Sequence, residues 1–167
     1  LSVANGNTGS FGAAVLADGA LTATDVVFRN HSAGSNGGAI RSSTDLTLER
    51  VSIIDSSTSS SGGGIYQSGG NLTMTNVVVS GNGAGIHGGG VLFSGGGTVD
   101  IGYSTFTDNT AVFNTGGFML SSGTATIDNS IFVDNSSNDP GSYTEDISGS
   151  GITSAGFNIL EDYSGFT

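Results

Sequence analysis

Acid–base or metal chemistry in this 167-residue chain would have to come from fourteen Asp and Glu side chains, three arginines (Arg29, Arg41, Arg50) and two histidines (His31, His87). Lysine and cysteine are absent. Hydrolysis of a glycosidic bond needs two carboxyl groups on one surface, roughly 5 to 9.5 Å apart according to mechanism. Calcium needs roughly six to eight oxygen ligands. The group best suited to it is Asp108, Asn109, Asp134 and Asn135, with Asp139, Glu145 and Asp146 as a second acidic group. Asp and Asn also satisfy the backbone of tight bends, and that structural role is the preferred reading of the first group.

The elements that must position these residues are written as a repeat. Gly12-Ala-Ala-Val15, Gly37-Gly-Ala-Ile40, Gly62-Gly-Gly-Ile65, Gly88-Gly-Gly-Val91 and Thr115-Gly-Gly-Phe118 recur at steps of 25, 25, 26 and 27. Each is a corner of small residues followed by an apolar one. A phrase with period-2 alternation follows: Leu21-Thr-Ala23, Leu46-Thr-Leu48, Leu72-Thr-Met74, Val99-Asp-Ile101 and Ala125-Thr-Ile127. Alternation of this kind puts every second side chain on the buried face of a strand. Its outward column reads Thr22, Thr47, Thr73, Asp100, Thr126.

A third phrase ends on a large apolar residue in every period, Phe28, Ile53, Val79, Phe106 and Phe132. Asparagine stands three places beyond the last three of these, at Asn82, Asn109 and Asn135. The same phrase occurs at both ends, as Leu1-Ser-Val3 and Asn158-Ile-Leu160.

The pattern predicts an all-β chain: a right-handed parallel β-helix solenoid of about six coils, three short strands per coil of about 25–27 residues, and no helical domain. A sandwich of hairpins would show two-residue Asn-Gly or Asp-Gly turns and no constant three-phrase period. Residues 1–167 read as one domain that begins in mid-coil, with a projecting loop at about 136–150 marked by Pro140-Gly141. Within that loop Tyr143, Glu145 and Asp146 are the candidate ligand contacts.

The Gly-Gly-Ala-Ile40 corner and the phrases Phe106-Thr-Asp-Asn109 and Phe132-Val-Asp-Asn135 resemble the GGA(I/L/V) and FxxN repeats of the polymorphic outer-membrane proteins. The C-terminal stretch NSIFVDNSSNDPGSYTEDISGSGITSAGFNILED is similar to the last coils of large bacterial secreted surface proteins with right-handed β-helix and choice-of-anchor regions. These resemblances imply a secreted β-helix used for adhesion at a cell surface, and they identify no active site.

Right-handed β-helices also include pectate lyases, polygalacturonases and tailspike glycosidases. A lyase of that kind uses Arg or Lys as base, and the three arginines fall in different columns of the repeat. Asp100 lies between Thr73 and Thr126, and Glu49 between Thr24 and Thr75, so neither has an acid directly beside it in the next coil. No residue is assigned a catalytic role.

A net charge of −11 disfavours nucleic acid and anionic surfaces, while cations and neutral glycans remain open. No apolar run approaches the roughly 20 residues that span a bilayer. The expected function is a non-catalytic module of an extracellular fibre, filament or cell-surface adhesin, with a glycan-active enzyme or glycan-binding domain as the alternative. Its expected partners are flanking repeats or a second copy, stacked head to tail through Leu1, Val3, Ile159 and Leu160 at the open ends. Calcium is the one cofactor candidate.

Overall fold

The structure, a computed structural model, describes residues 1–138 and 146–162. All regular structure among them is β, and the 25 strands form four sheets in which every pairing is parallel. One complete coil runs Ser52–Ile54 (sheet I), Ser57–Thr58 (sheet II), Ile65–Gln67 (sheet III) and Leu72–Thr75 (sheet IV). Each strand pairs only with its equivalents in the coils before and after. Met74, for instance, lies between Leu48 and Ile101, and Val79 between Ile53 and Phe106. The result is a solenoid of about six coils.

Three of the four sheets are the three phrases of the repeat. Sheet II is an addition: two-residue strands such as Ser57–Thr58, Gly83–Ala84 and Thr110–Ala111. Their one inward residue is small (Ala33, Thr58, Ala84, Ala111). A two-residue strand has no alternation to display, and a single small side chain gives no apolar signal, so a reading by periodicity passes over it.

Apolar side chains from the other three sheets fill the interior. Sheet IV contributes Leu46, Leu48, Leu72, Met74, Val99 and Ile101, and sheet III contributes Ile40, Ile65, Val91 and Phe118. The sheet I column includes Phe106 and Phe132, whose rings stack 4.4 Å apart at 13°, while Phe118 meets Phe106 edge-on at 6.4 Å. Stacking like on like is what a register constant from coil to coil imposes.

The corners are equally regular. The bend from sheet IV into sheet I is made by Asp25, Arg50, Asn76, Tyr103 and Asn129, all with φ between 47° and 57°. The bend from sheet I into sheet II is made by Asn5, Asn30, Asp55, Gly81, Asp108 and Asp134, with φ between 51° and 65°. Asn, Asp and Gly tolerate this left-handed conformation best. Arg50 and Tyr103 adopt it at a cost of roughly 1 kcal/mol each. At the Gly-Gly corners a second limit operates, because a Cβ on Gly38 would stand 1.9 Å from the carbonyl oxygen of Gly63 in the next coil.

Truncating Phe106 to Ala empties a site walled by two aromatic rings. We expect a loss of about 3–5 kcal/mol in urea unfolding. The half-exposed Val78→Thr, on the outer face of the same sheet, should change stability by less than about 0.5 kcal/mol.

Candidate functional site

Immediately beyond each sheet I strand, one residue per coil turns into the interior: Gly6, His31, Ser56, Asn82, Asn109 and Asn135. All but Gly6 are buried. They form a hydrogen-bonded ladder along the axis. The backbone N–H of Asn82 donates to Asn109 Oδ1 (3.1 Å), and Asn82 Nδ2 donates to the same oxygen (2.9 Å). Asn109 repeats both bonds to Asn135 Oδ1, at 3.2 and 2.8 Å. The remaining amide hydrogens reach back to the carbonyls of Ile53, Val79 and Phe106. Toward the first coil the same step runs from Ser56 N–H to Asn82, from His31 N–H to Ser56 Oγ, and from Gly6 N–H to His31 Nδ1.

The ladder ends on Asp146, which is 1 % exposed. Its Oδ1 accepts from the N–H (3.2 Å) and Nδ2 (2.6 Å) of Asn135, and its Oδ2 from the N–H groups of Glu161 (3.1 Å) and Asp162 (3.0 Å). A carboxylate accepts at every position and donates at none, so it stops a column in which each member must otherwise pass a donor onward. A second, shorter column runs from Val77 N–H to Ser104 Oγ, from Ser104 N–H to Ser130 Oγ, and from Ser130 N–H to Asn158 Oδ1.

These bonds revise two expectations. Asp108, Asn109, Asp134 and Asn135 do not converge. The two asparagine side chains lie inside, and each Oδ1 already accepts two N–H donors, whereas Asp108 and Asp134 lie exposed at the corner. Among the described residues no three His, Asp or Glu side chains stand together in a way that could hold a metal ion. Asp146, expected as a surface contact, is buried and fully occupied by N–H donors. Tyr143 and Glu145, and Asp139 beside them, lie outside the described residues.

Outside, sheet IV presents a flat polar face. Its outward columns are Thr22, Thr47, Thr73, Asp100, Thr126, Thr153 and, two places on, Thr24, Glu49, Thr75, Gly102, Asp128. A depression of about 210 Å³ opens over Gly102, lined by Thr73, Thr75, Asp100, Thr126 and Asp128. No atom lies within 4 Å of where a Gly102 Cβ would stand. The register pairs Asp100 with Thr126 and Gly102 with Asp128. The two carboxylates therefore stand on a diagonal, with Cα atoms roughly 8 Å apart by strand geometry. A search of straight columns misses Asp128, and following the register two residues further along the strand would have found it. Two carboxylates and three hydroxyls around an open floor can hydrogen-bond a polyhydroxylated ligand.

A family model described as a right-handed β-helix region matches residues 11–161. The chain belongs to this right-handed β-helix family. No curated protein and no solved structure matches it.

On this β-helix the three arginines are dispersed. Arg50 grips Asp25 of the previous coil through Nε (2.7 Å) and a terminal nitrogen (3.0 Å), and also pairs with Glu49. The Arg50 hydrogen bonds hold the exposed Asp25 carboxyl below its ordinary value. Arg41 covers the Phe11 ring at 4.7 Å and lies 3.7 Å from Asp18, while Arg29 reaches Ser2 Oγ at 3.4 Å. His87 packs edge-on against Phe113 and contacts Asn114, far along the chain from the buried His31.

The strands Ser2–Ala4 and Ile159–Leu160 stand at opposite ends of sheet I. Leu1 and Ile159 are exposed, whereas Val3 and Leu160 pack partly against the core. No helix among the described residues is long and apolar enough to cross a membrane.

Asp146→Asn keeps an acceptor for Asn135 but can turn an NH2 group toward the N–H groups of Glu161 and Asp162. Urea unfolding should show a loss of about 1.5–3 kcal/mol, and unchanged stability would contradict the terminal-acceptor role.

Proposed function

We propose that this β-helix is a non-catalytic structural module of an extracellular fibre or cell-surface adhesin. It acts as a stiff, acidic rod whose sheet edges carry the stack onward into further coils, either of the same chain or of a second copy. The observation that supports this most strongly is the unbroken register of four parallel sheets over about six coils. Polar interior atoms are spent on bonds between coils, which stiffens the axis. Exposed strand edges are templates for further pairing, and a head-to-tail contact of this kind extends without closing into a ring. The net charge of −11 keeps such rods from associating sideways.

A second reading, glycan binding or glycan cleavage, draws support from the depression over Gly102, where Asp100 and Asp128 face the same open floor. Two carboxyl groups on one surface are what glycosidic hydrolysis requires. The same pair also suits simple binding of sugar hydroxyls.

Electron microscopy of the purified chain over a concentration series, with and without calcium, tests the first reading. Rods longer than one chain, lengthening with concentration, are expected. Single short rods under every condition would remove the self-association element. The two readings are separated by incubation with neutral and acidic polysaccharides. The structural reading predicts no turnover, and turnover abolished by Asp128→Asn would replace it with the second.

A further inference from the structure

Apart from the terminal Asp146, one member of the interior ladder is ionisable. His31 is 2 % exposed and occupies the column position that Asn82 and Asn109 hold two and three coils later. Its Nδ1 accepts the Gly6 N–H at 3.0 Å, and its Nε2 lies 3.1 Å from the carbonyl oxygen of Val3. Both contacts are satisfied at once only by the neutral ring with its proton on Nε2. The approach is close: a Cβ on Gly6 would stand 2.8 Å from His31 Nδ1. The ring therefore holds the segment Val3–Gly6 of the first coil against the second, with the Phe28 ring 6.5 Å away.

We propose that His31 is a proton-operated latch: its protonation undoes the Gly6 contact and opens the seam between the first and second coils. A proton on Nδ1 would confront the Gly6 N–H with a second donor and place a cation in an apolar interior. Opening uncovers the edge of the strand Val27–Arg29, which otherwise pairs with Ser2–Ala4. The effect belongs to this seam and does not depend on the fibre reading.

The groups around the ring offer no compensating charge. Residues 3–6 and Gly12–Val15 carry no ionisable side chain. Arg29, beside Phe28, is exposed and donates to Ser2. Asp55, next to Ser56, is exposed at its corner with its carboxylate near Gly81. Burial accordingly lowers the affinity of His31 for a proton, and the bond to Val3 opposes this only in part.

The closed seam binds the proton more weakly than the open one, whose imidazole has the ordinary value of about 6.5. Stability of the seam is therefore complete above that pH and falls on acidification. The opening constant rises roughly tenfold per pH unit until the closed-state value is reached.

Amide hydrogen exchange followed by NMR between pH 7.5 and 5, corrected for intrinsic rates, tests this. Protection of Asn5, Gly6, Val27 and Ser32, whose N–H groups bond across the seam, should fall roughly tenfold per pH unit below about 6.5. Protection of Asn82, deep in the stack, should hold. In His31→Asn, which places a ladder asparagine at this position, the pH dependence of the seam amides should vanish. Equal loss in the variant, or no loss in the unsubstituted chain, overturns the proposal. Direct titration of the His31 ring in the unsubstituted chain gives an independent readout: a ring that protonates near 6.5 while the seam amides stay protected overturns it as well.

Discussion

Everything in this molecule answers to one spacing, the roughly 4.8 Å between paired parallel strands. Because each coil bonds only to its neighbours, a strand residue of an inner coil has equivalents stacked directly above and below it, and the choice of side chain is made for a column. Apolar columns fill the interior, left-handed columns of Asp, Asn and Gly make the corners, and threonine columns cover the outside. Like charges at this spacing would repel by about 1 kcal/mol even in water. On the sheet face Asp100 stands between Thr73 and Thr126, and Glu49 between Thr24 and Thr75, while the stacked pair Asp108 and Asp134 lies exposed to water at a corner.

The same spacing explains how a chain with so many polar residues retains a closed interior. A backbone N–H that turns inward at a corner has no strand partner, and leaving it bare would cost about 1–3 kcal/mol. The asparagine ladder gives each such group an oxygen from the next coil, and the amide nitrogen passes the demand onward. Such a chain needs a last member with nothing left to donate. Asp146 is that member, which gives the coil of Asn135 and the segment at Glu161–Asp162 a shared anchor. At the opposite end Ser56 and His31 take the place of asparagine, and the ladder narrows from two bonds per step to one.

Much of this order was legible in the sequence, because a column repeats its signal in every coil. The phrases around Leu72, Val91 and Phe106 gave strand identity, inward faces and, through Leu1-Ser-Val3 and Asn158-Ile-Leu160, the register of both ends. What stayed hidden had no repeated signal. The strands of sheet II offer one small inward residue each. In the Asp-Asn steps at 108–109 and 134–135, adjacent residues of similar chemistry go opposite ways, Asp out and Asn in, and only the left-handed φ at Asp108 and Asp134 decides which. Asp146 enters the ladder 11 residues after Asn135 rather than one coil later, so no period points to it. Asp128 joins Asp100 across a diagonal, a relation that straight columns do not contain.

The central claim is that the buried asparagines act as one cooperative column rather than as separate corner caps. A double-mutant cycle on Asn82→Ala and Asn109→Ala, read by urea unfolding, tests it most directly. The column predicts a coupling energy of at least about 1 kcal/mol, because removing either residue strands the partner's amide. Losses that add to within about 0.3 kcal/mol would contradict it.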